Sequence, residues 1–346
     1  MCKHPLKAFA IGINEESGKP KYKICSYKTD HLEKVHGYWQ PCPEAFVSPF
    51  AEKVQREWIE IPCGKCLDCR LQYARQWADR CVYESYYYPA DECYFVTLTY
   101  NPESIVDVNS EVFAGSLVKE HLQKFFKRLR RNQEYHEEKT DDKKIRYFAC
   151  GEYGDTTMRP HYHVLLYGIN LHKFANIPWI PSKSGRNQWR STYLEDIWQN
   201  GFVTFSEFSW KDAAYVARYT LKKVKGITPE YYMMNNLEPE FVVMSRRPGI
   251  GRSFFDDHKE DIYKFDSIIQ KSPDGGRKAK PPRFYDSLLE KENPELYKRI
   301  KQNRKECAEY ARELKLQRTK LDYEELLQVE EDILSRKANG LIRGLD

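Results

Sequence analysis

The clearest patterning lies between residues 93 and 225. Residues 93–100 (CYFVTLTY) are aromatic and β-branched and stop at Asn101-Pro102, which predicts a strand. Residues 116–132 place Leu117, His121, Leu122, Phe125, Phe126 and Leu129 at helical spacing and predict an amphipathic helix. Further strands are predicted at 145–150, 161–167 and 202–208, with a loop holding Gly151 and Gly154 between the first two. Residues 210–225 predict a helix. Ser209 and Asp212 make a capping box, Gly226 is a stop, and Ala213, Val216, Ala217, Thr220, Leu221 and Val224 form an apolar stripe. Upstream, 68–88 reads as a helix ended by Pro89. Residues 1–62 show no clear period and predict an irregular N-terminal segment. A nuclease-sized core at 63–226 is then followed by a loop-rich connection at 227–283 and a charged helical arm at 284–346, an αα-hairpin or coiled coil.

Composition sharpens this outline. At 346 residues and 41% apolar, the chain is long and apolar enough to fold around a core. No run of about 18 apolar residues is present, which excludes a membrane-spanning helix. The start, Met1-Cys2-Lys3-His4-Pro5, lacks the apolar run of a signal peptide, so a cytoplasmic protein is expected. Ten cysteines in such a protein point to free thiols or metal ligands rather than a disulfide framework. The net charge of +5 says little, but the basic groups cluster at 119–131, 218–225 and 277–283. Cations interleaved with Phe, Tyr and Trp suit nucleic acid, where charges meet phosphates and rings stack on bases. Lys127, Arg128, Arg218 and Lys223 are the candidate DNA contacts.

Three constellations carry chemistry. On a strand His161 and His163 face the same side and can chelate one cation. Glu152 precedes His161 by nine residues, so a hairpin would fold it back beside the pair. Two imidazoles and a carboxylate suit Mg²⁺, Mn²⁺, Zn²⁺ or Fe²⁺ without choosing among them. On the helix, Tyr215, Tyr219 and Lys222 lie off the apolar stripe at i, i+4 and i+7, with Arg218 beside them. A phenol with a pKa near 10 is a poor nucleophile unless a cation assists it. With that help it can attack a phosphodiester and leave a 5′-phosphotyrosine and a free 3′-OH. Finally, Cys63, Cys66 and Cys69 form CxxCxxC, a possible structural Zn²⁺ site whose fourth ligand would be Cys2, Cys25, Cys42 or His36.

These motifs, in this order, resemble those of HUH-type rolling-circle replication initiators. Phe95-Val96-Thr97-Leu98-Thr99-Tyr100 is similar to their first motif, Arg159-Pro160-His161-Tyr162-His163 to their second, and the run from Tyr215 to Lys222 to their third. Pro62-Cys63-Gly64-Lys65-Cys66-Leu67-Asp68-Cys69-Arg70 and Gly151-Glu152-Tyr153-Gly154 are similar to the gokushovirus (Microviridae) initiators in particular. The resemblance implies an α+β fold, an RRM-like central antiparallel sheet with helices on one face. It implies His161, His163 and Glu152 as ligands of Mg²⁺ or Mn²⁺. Tyr219 with Lys222 matches the tyrosine–lysine pair, and Tyr215 matches the extra tyrosine of two-tyrosine initiators. The implied activity is nicking of a phage origin through tyrosine, followed by rejoining. The implied partners are single-stranded DNA, the duplex origin, and host helicase and polymerase, in the host cytoplasm and without a membrane. The alternatives are a non-enzymatic RRM-like single-strand binder, or a plasmid relaxase or transposase with the same chemistry.

Overall fold

The computed structural model describes residues 2–16, 18–105, 115–136, 144–154, 157–174, 176–179, 187–222, 229–272 and 275–342. The side chains of 134–136, 219–222, 229 and 339–342 also lie outside the description. Two compact units are present, Met1–Tyr73 with Glu306–Asp346, and Ala74–Lys305.

The first unit corrects the expectation of an irregular N-terminus. It holds β1 (Leu6–Ile13), β2 (Pro20–Ser26), β3 (His31–Val35), β4 (Tyr38–Cys42), β5 (Lys53–Gln55) and β6 (Trp58–Ile61). They form two three-stranded antiparallel sheets, ordered β2-β1-β6 and β4-β3-β5. The pattern is faint because the strands are short and mostly exposed. Only Phe9, Cys25 and Leu32 form their buried cluster. The chain then enters α1 (Leu67–Ser85).

The second unit is built on one seven-stranded antiparallel sheet. In chain order its strands are β7 (Cys93–Tyr100), β8 (Arg146–Tyr153), β9 (Pro160–Tyr167), β10 (Asn176–Trp179), β11 (Gln188–Ser191), β12 (Gly201–Glu207) and β13 (Phe241–Met244). Across the sheet they run β10-β11-β12-β7-β9-β8-β13, so the four strands expected from the sequence form its centre. The helices α2 (Lys119–His136), α3 (Thr192–Trp198), α4 (Trp210–Lys222) and α5 (Pro229–Met234) follow the chain between them.

Both faces of the sheet are covered, which corrects the expectation of helices on one face. Tyr94, Val96, Leu98 and Tyr100 of β7 pack with Leu122, Phe125, Phe126 and Leu129 of α2 and with Trp198 of α3. Cys93 of β7 and Leu165 and Tyr167 of β9 pack on the opposite face with Ala78 and Cys81 of α1 and Ala213, Val216 and Ala217 of α4. Central strands that are apolar at every position bury both sides.

The 227–283 stretch is also more ordered than expected. Besides α5 and β13 it contains α6 (Arg252–Phe265) and a hairpin of β14 (Ile268–Ser272) and β15 (Gly275–Ala279). Then come α7 (Arg283–Glu292), α8 (Pro294–Leu316) and α9 (Tyr323–Ile342). These match the expected helical content, but the last of them is not a bare arm. Within the first unit Tyr323 packs against Tyr27, with ring centroids 5.8 Å apart, and Glu330 is ion-paired with Lys3.

A buried ion pair fixes the second unit internally. Arg146 on β8 pairs with Glu84 on α1 and donates to the Pro248 carbonyl at 2.8 Å. Glu84 also accepts from the Gly251 amide at 2.6 Å.

Candidate metal and tyrosine site

The site arises from strand register. β8 and β9 pair with Glu152 opposite His161 and Cys150 opposite His163. β7 flanks β9 on its other side with Thr97 opposite His163. Alternation then aims Glu152, His161, His163, Thr97 and Phe95 at one face, the face covered by α4. The expected hairpin therefore does fold Glu152 back to the histidines. Its Oε1 lies 2.6 Å from His161 Nε2 and 2.9 Å from His163 Nε2. Glu152 is 3% exposed and His163 7%. Burial pushes the Glu152 carboxyl up, but the hydrogen bonds from His161 and His163 outweigh it and hold the group down at about 2.

Each imidazole is oriented from behind. His161 Nδ1 lies 3.0 Å from the Arg159 carbonyl oxygen, which can only accept, so Nδ1 carries the proton. In a neutral ring Nε2 then presents its lone pair to a carboxylate oxygen. Two lone pairs 2.6 Å apart are stable only with positive charge between them, as a proton or a cation. His163 Nδ1 sits 3.1 Å from Thr97 Oγ1, and Phe95 stacks on the same ring at 5.1 Å. Three donor atoms, one of them anionic, converge within 4.8 Å of one another, a set that fits one divalent cation.

Helix α4 brings a phenol to this cluster. Its start is fixed by Ser209, whose amide and hydroxyl both donate to Asp212 Oδ2, at 2.7 and 2.6 Å. Ala213, Val216 and Ala217 are fully buried against the sheet, as the apolar stripe predicts. Tyr215 lies beside that stripe. Its ring meets His163 edge-on at 5.2 Å and its hydroxyl donates to Glu152 Oε1 at 3.4 Å. Tyr219 and Lys222 belong to the same helix, but their side chains lie outside the described residues, as does Lys223 altogether. Arg218 donates to the Ala214 carbonyl at 3.4 Å, within the helix.

Two candidate DNA contacts fall elsewhere. Lys127 and Arg128 belong to α2, on the other face of the sheet. Arg128 donates to the carbonyls of Ile197 and Trp198 at 2.6 and 2.8 Å and so holds the last turn of α3. Lys127 lines an open groove with Phe126, Arg130, Arg131 and Tyr147. Sequence reasoning missed Thr97 and Phe95 as partners of His163. The alternation of CYFVTLTY gives their common face, but only the β7–β9 register gives their neighbour.

An antiparallel α+β sheet carries, in order, a first strand motif, an HxH pair with a carboxylate, and a tyrosine helix packed over them. That is the motif order of the replication initiators resembled above. The family described as Replication-associated protein ORF2 matches residues 93–224, from β7 through α4. The chain is 35% identical over 268 residues to the Replication-associated protein ORF2 of Spiroplasma virus 4, spanning 76% of this chain and 79% of that protein. It is 28% identical over 268 residues to the Replication-associated protein VP4 of Bdellovibrio phage phiMH2K, spanning 75% and 78%. It is 30% identical over 165 residues to the Replication-associated protein ORF4 of Chlamydia phage 1, spanning 47% and 38%. The chain belongs to this family of replication-associated proteins. No solved structure matches it significantly. No helix among the described residues is long and apolar enough to cross a membrane.

Proposed function

We propose that the chain initiates rolling-circle replication of a phage genome by metal-dependent nicking and rejoining of single-stranded DNA through tyrosine. The observation that carries the reading is the Tyr215 hydroxyl, 3.4 Å from the carboxylate oxygen shared by His161 and His163. His161, His163 and Glu152 hold the cation, Mg²⁺ or Mn²⁺. Bound there, it withdraws charge from the scissile phosphate and stabilises the departing 3′ oxygen.

Tyr215 Oη attacks phosphorus in line while the P–O3′ bond breaks. The phenol loses its proton to water, and the leaving 3′ oxygen takes one up. The product is a 5′-phosphotyrosine ester and a free 3′-OH. The ester conserves the bond energy, so the same step run backwards rejoins an end without ATP. Tyr219, one helical turn on, is the alternate nucleophile that lets one end be held while another is cut, and Lys222 supplies positive charge to the developing phosphorane. The DNA contacts and any host helicase or polymerase belong to the same proposal.

The test uses a labelled single-stranded origin oligonucleotide with Mn²⁺ or Mg²⁺. A denaturant-stable protein–DNA band, absent with EDTA and with Tyr215→Phe/Tyr219→Phe, supports the reading. Binding that survives both changes with no covalent band in the wild type sinks it in favour of a non-enzymatic single-strand binder.

A further inference from the structure

Four cysteines converge in the first unit, and none of them belongs to the histidine site. β1 and β6 pair antiparallel with Leu6 opposite Ile61. The chain just before β1 therefore meets the chain just after β6. That register delivers Cys2 to Cys63, Cys66 and Cys69 at the start of α1. All four Sγ atoms lie within 4.8 Å of one another, with Cys2 and Cys66 3.9 Å apart. Four sulfurs placed tetrahedrally about 2.3 Å from a zinc ion stand about 3.8 Å from each other. A disulfide would need about 2.05 Å, and all four are free thiols. In an iron–sulfur cubane the four thiolates bind four different irons, which holds them farther apart.

The backbone is arranged for sulfur ligands. Lys65 and Cys66 amides donate to Cys63 Sγ at 3.4 and 3.3 Å, and the Cys63 amide donates to Cys2 Sγ at 3.2 Å. Gly64, at φ +73°, makes the left-handed turn that aims those amides. Amide donors favour the thiolate, the form that binds metal. The first unit's other convergence, His31 with Glu33 and Cys42, is different. Both His31 nitrogens are engaged, by Asp30 at 2.9 Å and Glu33 at 3.0 Å, and the Ser48 amide donates to Glu33 at 2.7 Å. That cluster is satisfied without an ion.

We infer that Cys2, Cys63, Cys66 and Cys69 bind one Zn²⁺ in a closed structural site. Each remaining thiol gives its proton to solvent as its Zn–S bond forms. Four thiolates leave no open position, so the ion does no chemistry on a substrate. Its work is to tie the segment before β1 to the start of α1. A buried cluster as small as Phe9, Cys25 and Leu32 supplies little hydrophobic stabilisation, and small units of this kind are commonly completed by a metal.

Metal analysis of the purified full-length chain tests this. The expected result is one zinc per chain, with zinc-edge absorption showing four sulfurs at about 2.3 Å. Cys2→Ser should lower zinc retention and the melting temperature, whereas His163→Ala should keep the zinc. If Cys2→Ser does not fold, the wild-type spectrum alone decides. A folded wild type free of zinc, an iron-coloured one, or zinc ligated by nitrogen and oxygen overturns the inference. So does zinc lost with His163→Ala but kept with Cys2→Ser.

Discussion

Thr97→Val isolates the part of the site that sequence motifs do not reveal. For His163 Nε2 to offer its lone pair to a cation, Nδ1 must carry the ring proton and donate it to Thr97 Oγ1, 3.1 Å away. Valine keeps the shape and the strand preference of threonine and removes only the acceptor. Loss of an outer hydrogen bond to a metal-bound histidine typically weakens metal binding 10–100-fold, about 1.4–2.7 kcal/mol. The lower end is expected here, because Phe95 still stacks on the imidazole at 5.1 Å and restricts its rotation. Titration calorimetry with Mn²⁺ should thus show Kd rising about tenfold. The melting temperature of the metal-free protein should hardly change. Arg159→Ala is the control, since His161 is oriented by the main-chain carbonyl of that residue, which the substitution retains. An unchanged Mn²⁺ affinity in Thr97→Val, or an equal loss in Arg159→Ala, would refute the orientation argument.

Other consequences follow from the same packing. Glu84→Ala leaves Arg146 charged and buried and should cost about 3–5 kcal/mol in urea unfolding, with Glu84→Gln, which keeps an acceptor for the Gly251 amide, losing less. Tyr162→Phe removes a hydroxyl that meets Tyr100 Oη at 2.7 Å, accepts from the Val118 amide at 2.8 Å and donates to the Val118 carbonyl at 3.0 Å; a loss of about 1–3 kcal/mol is expected, read by thermal or urea melts. Gly201→Ala would put Cβ 2.3 Å from the Asn101 amide nitrogen and 2.5 Å from the Thr99 carbonyl oxygen at φ +141°, so it should misfold or lose at least about 1–3 kcal/mol by the same melts. Arg128→Ala should act on stability through α3, leaving the salt dependence of DNA binding almost unchanged, whereas Lys127→Ala should reduce that dependence if the groove on α2 meets phosphate.

What could be read from the sequence followed a single physical divide. Patterns that local geometry completes were legible. The turn chemistry of Gly151, Gly154 and Pro160 implied the β8–β9 hairpin, and a hairpin needs only its turn to bring Glu152 to His161. Helical spacing likewise separated Tyr215 from the stripe of Ala213, Val216 and Ala217. Relations that depend on which distant strand pairs with which were not legible. Thr97 reaches His163, 66 residues on, because β7 pairs with β9 in one register; a shift by a single residue would turn its hydroxyl to the α2 face. The fourth cysteine poses the same problem at larger scale. Sequence left Cys2, Cys25, Cys42 and His36 equally eligible, and only the pairing of Leu6 with Ile61 singles out Cys2. The short, half-exposed strands that create this register carry almost no periodic signal, since a strand of three to eight residues with few buried side chains leaves alternation little to act on. The least periodic stretch of the chain thus determines which thiols meet, while the most periodic one carries the tyrosine and the histidines.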